Sequence, residues 1–112
     1  MAHRTRRVAD LLKEEISLII QRGIKDPRIG FITITHIKMS EDIKHAKIYF
    51  CTLETENNKS EVLDTLNNAS QFMRAELKKV VHLKYIPYLK FFIDDTLEYV
   101  KKIEHLIEKT KE

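Results

Sequence analysis

The residues able to carry chemistry are few in this 112-residue chain and lie far apart. Five histidines stand singly, at His3, His36, His45, His82 and His105. No two of them have the helical spacing with a carboxylate that a zinc site uses. Cys51, the single cysteine, falls inside a predicted strand, where a thiol is usually core and seldom a nucleophile beside a histidine. Gly23 and Gly30 are too far apart for a phosphate-binding loop. The sequence therefore predicts no catalytic residue, no metal site and no cofactor.

Basic residues are the remaining candidates. Between Ala69 and Lys84 there are four cations against one acid, Glu76. A helix face that is merely solvated tends to mix both signs, so this asymmetry favours contact with phosphate. With the cations near the first helix, the candidate phosphate-contacting residues are Arg4, Arg6, Arg7, Lys25, Arg28, Arg74, Lys78, Lys79 and Lys84. The alternative that the helix cations only solvate an outer face stays open.

Length and composition restrict the class of protein. At 112 residues and 13.3 kDa, the chain should form one domain, residues 1–112, with a core that needs no disulfide. The net charge of +3 is only a mild indication of a polyanionic partner. A single cysteine is typical of the reducing cytoplasm, and no apolar stretch is long enough to span a bilayer. We therefore expect a soluble cytoplasmic protein that contacts no membrane and is monomeric when free.

The predicted basic face depends on one long helix, over residues 58–83. Asn58 and Glu61 have the spacing of a capping box at its start. One stripe of the helix is apolar, formed by Val62, Leu66, Ala69, Met73, Leu77 and Val80. Arg74 lies opposite this stripe, so its charge should contribute little to stability. The polar run 67–70 disfavours helix, and any bend is expected there.

The other elements follow from periodicity and turn residues. A basic N-terminal arm, residues 1–7, precedes an amphipathic helix from Val8 that Gly23 should terminate. Residues 31–39 and 45–53 predict a β-hairpin, and a phase shift in the first strand suggests a bulge near His36 or burial on both faces. A third strand at 89–93 and a C-terminal helix over 95–109 complete the order.

Five local strings occur in a characteristic order along the chain. They are Arg4-x-x-Arg7-Val8-Ala9, Lys25-Asp26-Pro27-Arg28-Ile29-Gly30, Ser40-x-Asp42-Ile43-x-x-Ala46-Lys47-Ile48-Tyr49, Ala69-Ser70-x-Phe72-x-Arg74 and Pro87-x-Leu89-x-Phe91-x-x-Asp94. Through these strings the chain resembles the ribosome-binding factor A family over nearly its whole length. The resemblance implies an α+β fold: a single type II KH-like domain of order α-β-β-α-α-β, a three-stranded mixed sheet packed against helices, and a C-terminal helix.

The resemblance also implies a function. Such a protein would bind the small (30S) ribosomal subunit through 16S rRNA and support its late maturation and rRNA processing, without catalysis. The family has an Ala-x-Gly kink between two helices, which corresponds here to Ala69, Ser70 and Gln71. Glutamine replaces the glycine, so a left-handed backbone at Gln71 would carry a steric cost.

Two other classes of function remain open at this stage. A protein-interaction module would use the sheet face or the last helix and would bind without steep salt dependence. A small α/β enzyme would need a pocket with perturbed titratable groups, and the sequence does not indicate one.

Overall fold

The computed structural model describes residues 2–24, 32–52 and 56–94. Its elements are α1 (Ala2–Gly23), β1 (Ile32–Met39), β2 (His45–Thr52), α2 (Glu56–Asn68), α3 (Ser70–Val80) and β3 (Tyr88–Ile93). This is the predicted order α-β-β-α-α-β. The predicted C-terminal helix, 95–109, lies outside the described residues. No helix within the described ranges has the length and apolar character needed to cross a membrane.

The three strands form one mixed sheet in the order β1-β2-β3. Strand β2 pairs antiparallel with β1 and parallel with β3, so the predicted α+β, KH-like fold is confirmed. Residues along most of each strand alternate between a more buried and a more exposed face, and the helices cover the buried one; at the end of β2, Phe50, Cys51 and Thr52 are all buried. Leu12, Ile16, Ile48, Phe50 and Met73 are among the fully buried side chains, each stabilising the fold by roughly 1.5–3 kcal/mol through burial.

Strand β1 contains a β-bulge. Of the two predicted explanations for its irregular alternation, a bulge near His36 or burial on both faces, the bulge is confirmed. Ile34 pairs with Phe50 and His36 with Tyr49, which leaves Thr35 as the extra residue. The Thr35 hydroxyl donates to Oδ2 of Asp94 at 2.5 Å. The bulge is therefore tied to the residue that follows β3, across the width of the sheet.

The long helix is interrupted at Ala69, inside the run where a bend was predicted. Ala69 has φ −87° and ψ 1°, and α3 begins at the next residue. Gln71 lies within α3 and, among the described residues, Ile43 alone is a non-glycine residue with positive φ. The steric cost that a left-handed Gln71 would carry therefore does not arise, because the break needs no left-handed residue.

Asn67 gives the break a physical cause beyond low helix propensity. Its side-chain Oδ1 accepts a hydrogen bond from the backbone N–H of Phe91 at 2.8 Å, and its Nδ2 lies 3.5 Å from the carbonyl oxygen of the same residue. The amide thus pairs with β3 as a neighbouring strand would. The end of α2 is therefore hydrogen-bonded to β3 immediately before the chain starts α3.

Two element starts differ from the predictions. Helix α1 begins at Ala2, so the segment that was predicted to be a basic N-terminal arm, residues 1–7, instead forms the first turns of this helix from Ala2 onward. Alanine and arginine are strong helix formers, and no glycine or proline occurs before Gly23. Helix α2 begins at Glu56, so Asn58 lies in its first turn and is not the cap.

Candidate nucleic-acid interface

The α3 cations lie in three different environments, although their spacing places them on one face. Lys78 is exposed and forms no hydrogen bond or ion pair with any described residue. Lys79 is exposed but its Nζ lies 3.1 Å from Oε1 of Glu76, one turn earlier. An exposed pair of this kind contributes at most about 1 kcal/mol and opens readily. Of the predicted α3 cations, Lys78 is the one available without breaking a contact.

Arg74 is a half-buried structural residue. Its Nε donates to the carbonyl oxygen of Pro87 at 3.1 Å, and one terminal nitrogen donates to the carbonyl oxygen of Ile86 at 3.0 Å. The guanidinium carbon also lies 4.2 Å from the centre of the Tyr88 ring. The expectation that Arg74 contributes little to stability was therefore wrong. The helical periodicity predicts on which side of α3 Arg74 lies. It cannot predict that the α3–β3 loop packs against that side.

Three cations and one carboxylate, that of Asp42, line the same cavity as the exposed ring of Tyr85, so the cavity is positive on balance. Arg4 from α1, Lys44 before β2 and Lys84 from the α3–β3 loop line one cavity of about 170 Å³ together with this ring. The Nζ atoms of Lys44 and Lys84 lie 5.8 and 5.6 Å from the ring centre. We call Arg4, Lys44, Lys84 and Tyr85 the Tyr85 cluster. A flat ring bordered by cations can accept a nucleobase and the adjoining phosphates.

The β1–β2 turn holds Lys44 in this cluster. Ile43 has a φ of 60°, a conformation that costs a β-branched residue about 1–3 kcal/mol and must be held by its surroundings. Oδ1 of Asp42 accepts hydrogen bonds from the Ser40 hydroxyl at 2.6 Å and from the Lys44 backbone N–H at 3.1 Å. These two bonds, the Ser40 bond first, lower the pKa of Asp42 below its usual 3.8. The ionised carboxylate therefore stabilises the strained turn.

The other α1 arginines lie on the outside of the helix. Arg6 and Arg7 are both exposed. Arg6 lines a groove of about 320 Å³ between α1 and β1, together with Lys13, Asp10 and Lys38. This groove is positive on balance and opens at the edge of the sheet.

The structure thus unites some predicted residues and separates others. It brings Arg4 and Lys84 into one cluster, whereas Lys25 and Arg28 lie outside the described residues. Sequence reasoning missed Lys44 and Tyr85. The available signal was the pair Lys84-Tyr85 at the end of a basic run, but the contribution of Lys44 depends on the tertiary fold. Within the described ranges, no three histidine, cysteine or acidic residues gather as metal ligands.

Known proteins are similar to this chain both in sequence and in fold. A family model described as ribosome-binding factor A matches residues 4–107. Ribosome-binding factor A of Syntrophobacter fumaroxidans is 44% identical over 106 residues, covering 93% of this chain and 91% of the relative. The crystal structure of ribosome-binding factor A from Thermus thermophilus superposes with a TM-score of 0.71 at 24% identity, covering 80% of this chain and 94% of that one.

A third match concerns a complex. A homology model of the Thermus thermophilus protein, fitted into a cryo-EM map of its complex with the 30S subunit, superposes with a TM-score of 0.63 at 25% identity. It covers 75% of this chain and 88% of that one.

Proposed function

The chain belongs to the ribosome-binding factor A family, and from this membership we propose that it binds the small (30S) ribosomal subunit as an assembly factor. The observation that carries the proposal is the family match, which spans residues 4–107. The Thermus thermophilus relative, by its fitted complex, has the same subunit as partner. We include in the proposal contact with 16S rRNA, support of late maturation and rRNA processing, a cytoplasmic location, and action without catalysis as a monomer.

The Tyr85 cluster supports an RNA-binding mechanism. Its ring is 59% exposed, so a base can reach it without any rearrangement of the core. Arg4, Lys44 and Lys84 would each neutralise a phosphate and release a counterion. Three such contacts to single-stranded RNA predict a log-log salt slope of roughly −2. Lys78 on α3 would add a further contact.

The test is co-sedimentation of the protein with purified small or large subunits over a range of salt concentrations. We expect the protein to migrate with small subunits and to dissociate as salt rises. Lys84→Glu should weaken this binding several-fold and reduce the salt slope by about one, because one contact is lost and one repulsion is added.

Arg22→Glu provides a matched control, since it makes the same charge change on another surface. Arg22 is exposed near Glu15 and Glu76, on the side where α1 meets α3. Equal losses from both variants would show an effect of bulk charge and count against the Tyr85 cluster. Binding to neither subunit would refute the proposal, and binding with a flat salt plot would favour a protein partner.

A further inference from the structure

We propose that the open face of the sheet is a second RNA-binding surface, which takes single-stranded RNA across a row of three lysines bordered by aromatic rings. The inference rests on the proposed function for its choice of polyanion, but its residues are different ones. Sequence periodicity did not identify them as candidates, because each lies on a separate strand.

The lysine row follows from the strand register. Lys38 of β1 is the Cα partner of Lys47 on β2, and Lys47 is the partner of Lys90 on β3. All three are exposed. Neither Lys38 nor Lys47 forms an ion pair with a described residue. Three cations therefore stand side by side across the whole sheet.

Such a row opposes folding, because like charges directly opposite one another on neighbouring strands are destabilising. The strands offer no compensation, since none of them contains an aspartate or glutamate. The alternating pattern would accept threonine or valine at these exposed positions with better strand propensity. A surface with this charge pattern is complementary to a polyanion, whose phosphates would remove the repulsion on binding.

Aromatic rings lie on both sides of the lysine row. On one side, the Tyr49 ring stacks between the rings of His36 and Phe92, with distances between ring centres of 4.4 and 5.4 Å. On the other side, His45 stacks on Tyr88 at 5.6 Å. Each ring row lies two residues along the strands from the lysines, a distance of about 6.6 Å.

These rings favour single-stranded RNA over a duplex. The His36 side chain, at the end of the longer stack, is 53% exposed. Tyr88 is 57% exposed, but the Arg74 guanidinium lies over its ring, so the His36 end is the one that a base can extend. An unpaired base can extend such a stack while its phosphate contacts a neighbouring lysine, whereas bases inside a duplex already stack on one another. The surface therefore contains both components of single-strand recognition.

The test uses a 12-nucleotide oligouridylate and a 12-base-pair RNA duplex as probes, with affinity measured by fluorescence anisotropy. Lys47→Glu should weaken oligouridylate binding about tenfold, because Lys47 is the centre of the row. The same change should raise the melting temperature by roughly 2 °C, because the new carboxylate lies between two lysines. A purely structural lysine would not show these opposite responses.

Arg22→Glu is again the control for net charge and should leave oligouridylate binding nearly unchanged. Unchanged binding by Lys47→Glu, an equal loss in Arg22→Glu, or a preference for the duplex would each overturn the proposal. Subunit sedimentation separates it from the proposed function. If Lys84→Glu loses subunits while Lys47→Glu binds oligouridylate normally, only the sheet surface fails. If the wild-type protein binds oligouridylate through Lys47 but no subunit, only the proposed function fails.

Discussion

Replacing Arg74 by alanine should destabilise the protein substantially, although the residue belongs to the basic face of α3. The change removes the hydrogen bonds to the carbonyl oxygens of Ile86 and Pro87 and the contact with the Tyr88 ring. A hydrogen bond from a charged donor contributes roughly 1.5–3 kcal/mol when buried, and about 1 kcal/mol each at this half-buried site, where water competes for the same groups. The ring contact adds about 0.5–1 kcal/mol.

The total loss is therefore about 2.5–3 kcal/mol, which for a domain of this size lowers the melting temperature by roughly 10 °C. Thermal melting followed by circular dichroism would measure it. Lys78→Ala is the matched control, one turn further along α3. Because Lys78 has no partner among the described residues, its removal should change the free energy of unfolding by less than about 0.5 kcal/mol.

Arg74→Lys separates charge from geometry. Lysine keeps the cation but lacks the planar fork that reaches two neighbouring carbonyl oxygens, so it should recover only part of the lost stability. An Arg74→Ala variant that melted within about 2 °C of the wild type would refute the assigned contacts. Full recovery by lysine would show that charge alone matters there.

Two further predictions concern the hydrogen bond between Asn67 and β3, and the β1–β2 turn. Asn67→Ala should lower the free energy of unfolding by about 1–3 kcal/mol and speed exchange of the Phe91 amide hydrogen, because that N–H loses its acceptor. Unfolding in urea and hydrogen exchange measure the two effects, and an unchanged exchange rate would contradict the contact. Asp42→Asn should destabilise the protein at pH 7. Since the folded pKa of Asp42 is lowered below 3.8, its stabilisation is present above that pH and disappears as the pH falls through the folded value. The difference between wild type and Asp42→Asn in urea unfolding should therefore shrink at acidic pH, and a constant difference would exclude this role.

Periodicity and turn chemistry predicted most of the fold because they act locally. Of the apolar stripe predicted for α1, Val8, Leu12, Ile16 and Ile20 are buried and Ile19 is partly buried, whereas Leu11 is exposed. The phase shift in β1 located the bulge, and the polar run before Ser70 located the helix break. The strand order could not be predicted, because no local pattern states which strand β3 will join.

The candidate site was harder to predict, because its contacts join distant segments. Arg74 and Lys78 have the same local pattern, yet one is held by a loop and the other is free among the described residues. Lys44 enters the Tyr85 cluster because its carbonyl oxygen accepts a hydrogen bond from the Tyr88 backbone N–H at 2.8 Å, which places the start of β2 beside the α3–β3 loop. Neither difference is visible in residue type or spacing.

The lysine row shows how one inserted residue decides the chemistry of a whole face. If pairing continued without interruption from Ile34 opposite Phe50, Lys38 would lie opposite Ala46, which is buried in the core. The extra residue Thr35 shifts the register by one position, and a shift of one residue turns every later side chain to the other face. Lys38 therefore lies opposite Lys47 on the open surface. The Thr35 hydroxyl at the bulge donates a hydrogen bond to Asp94, the residue after β3. This contact between the two edges of the sheet therefore also helps to fix the position of the lysines.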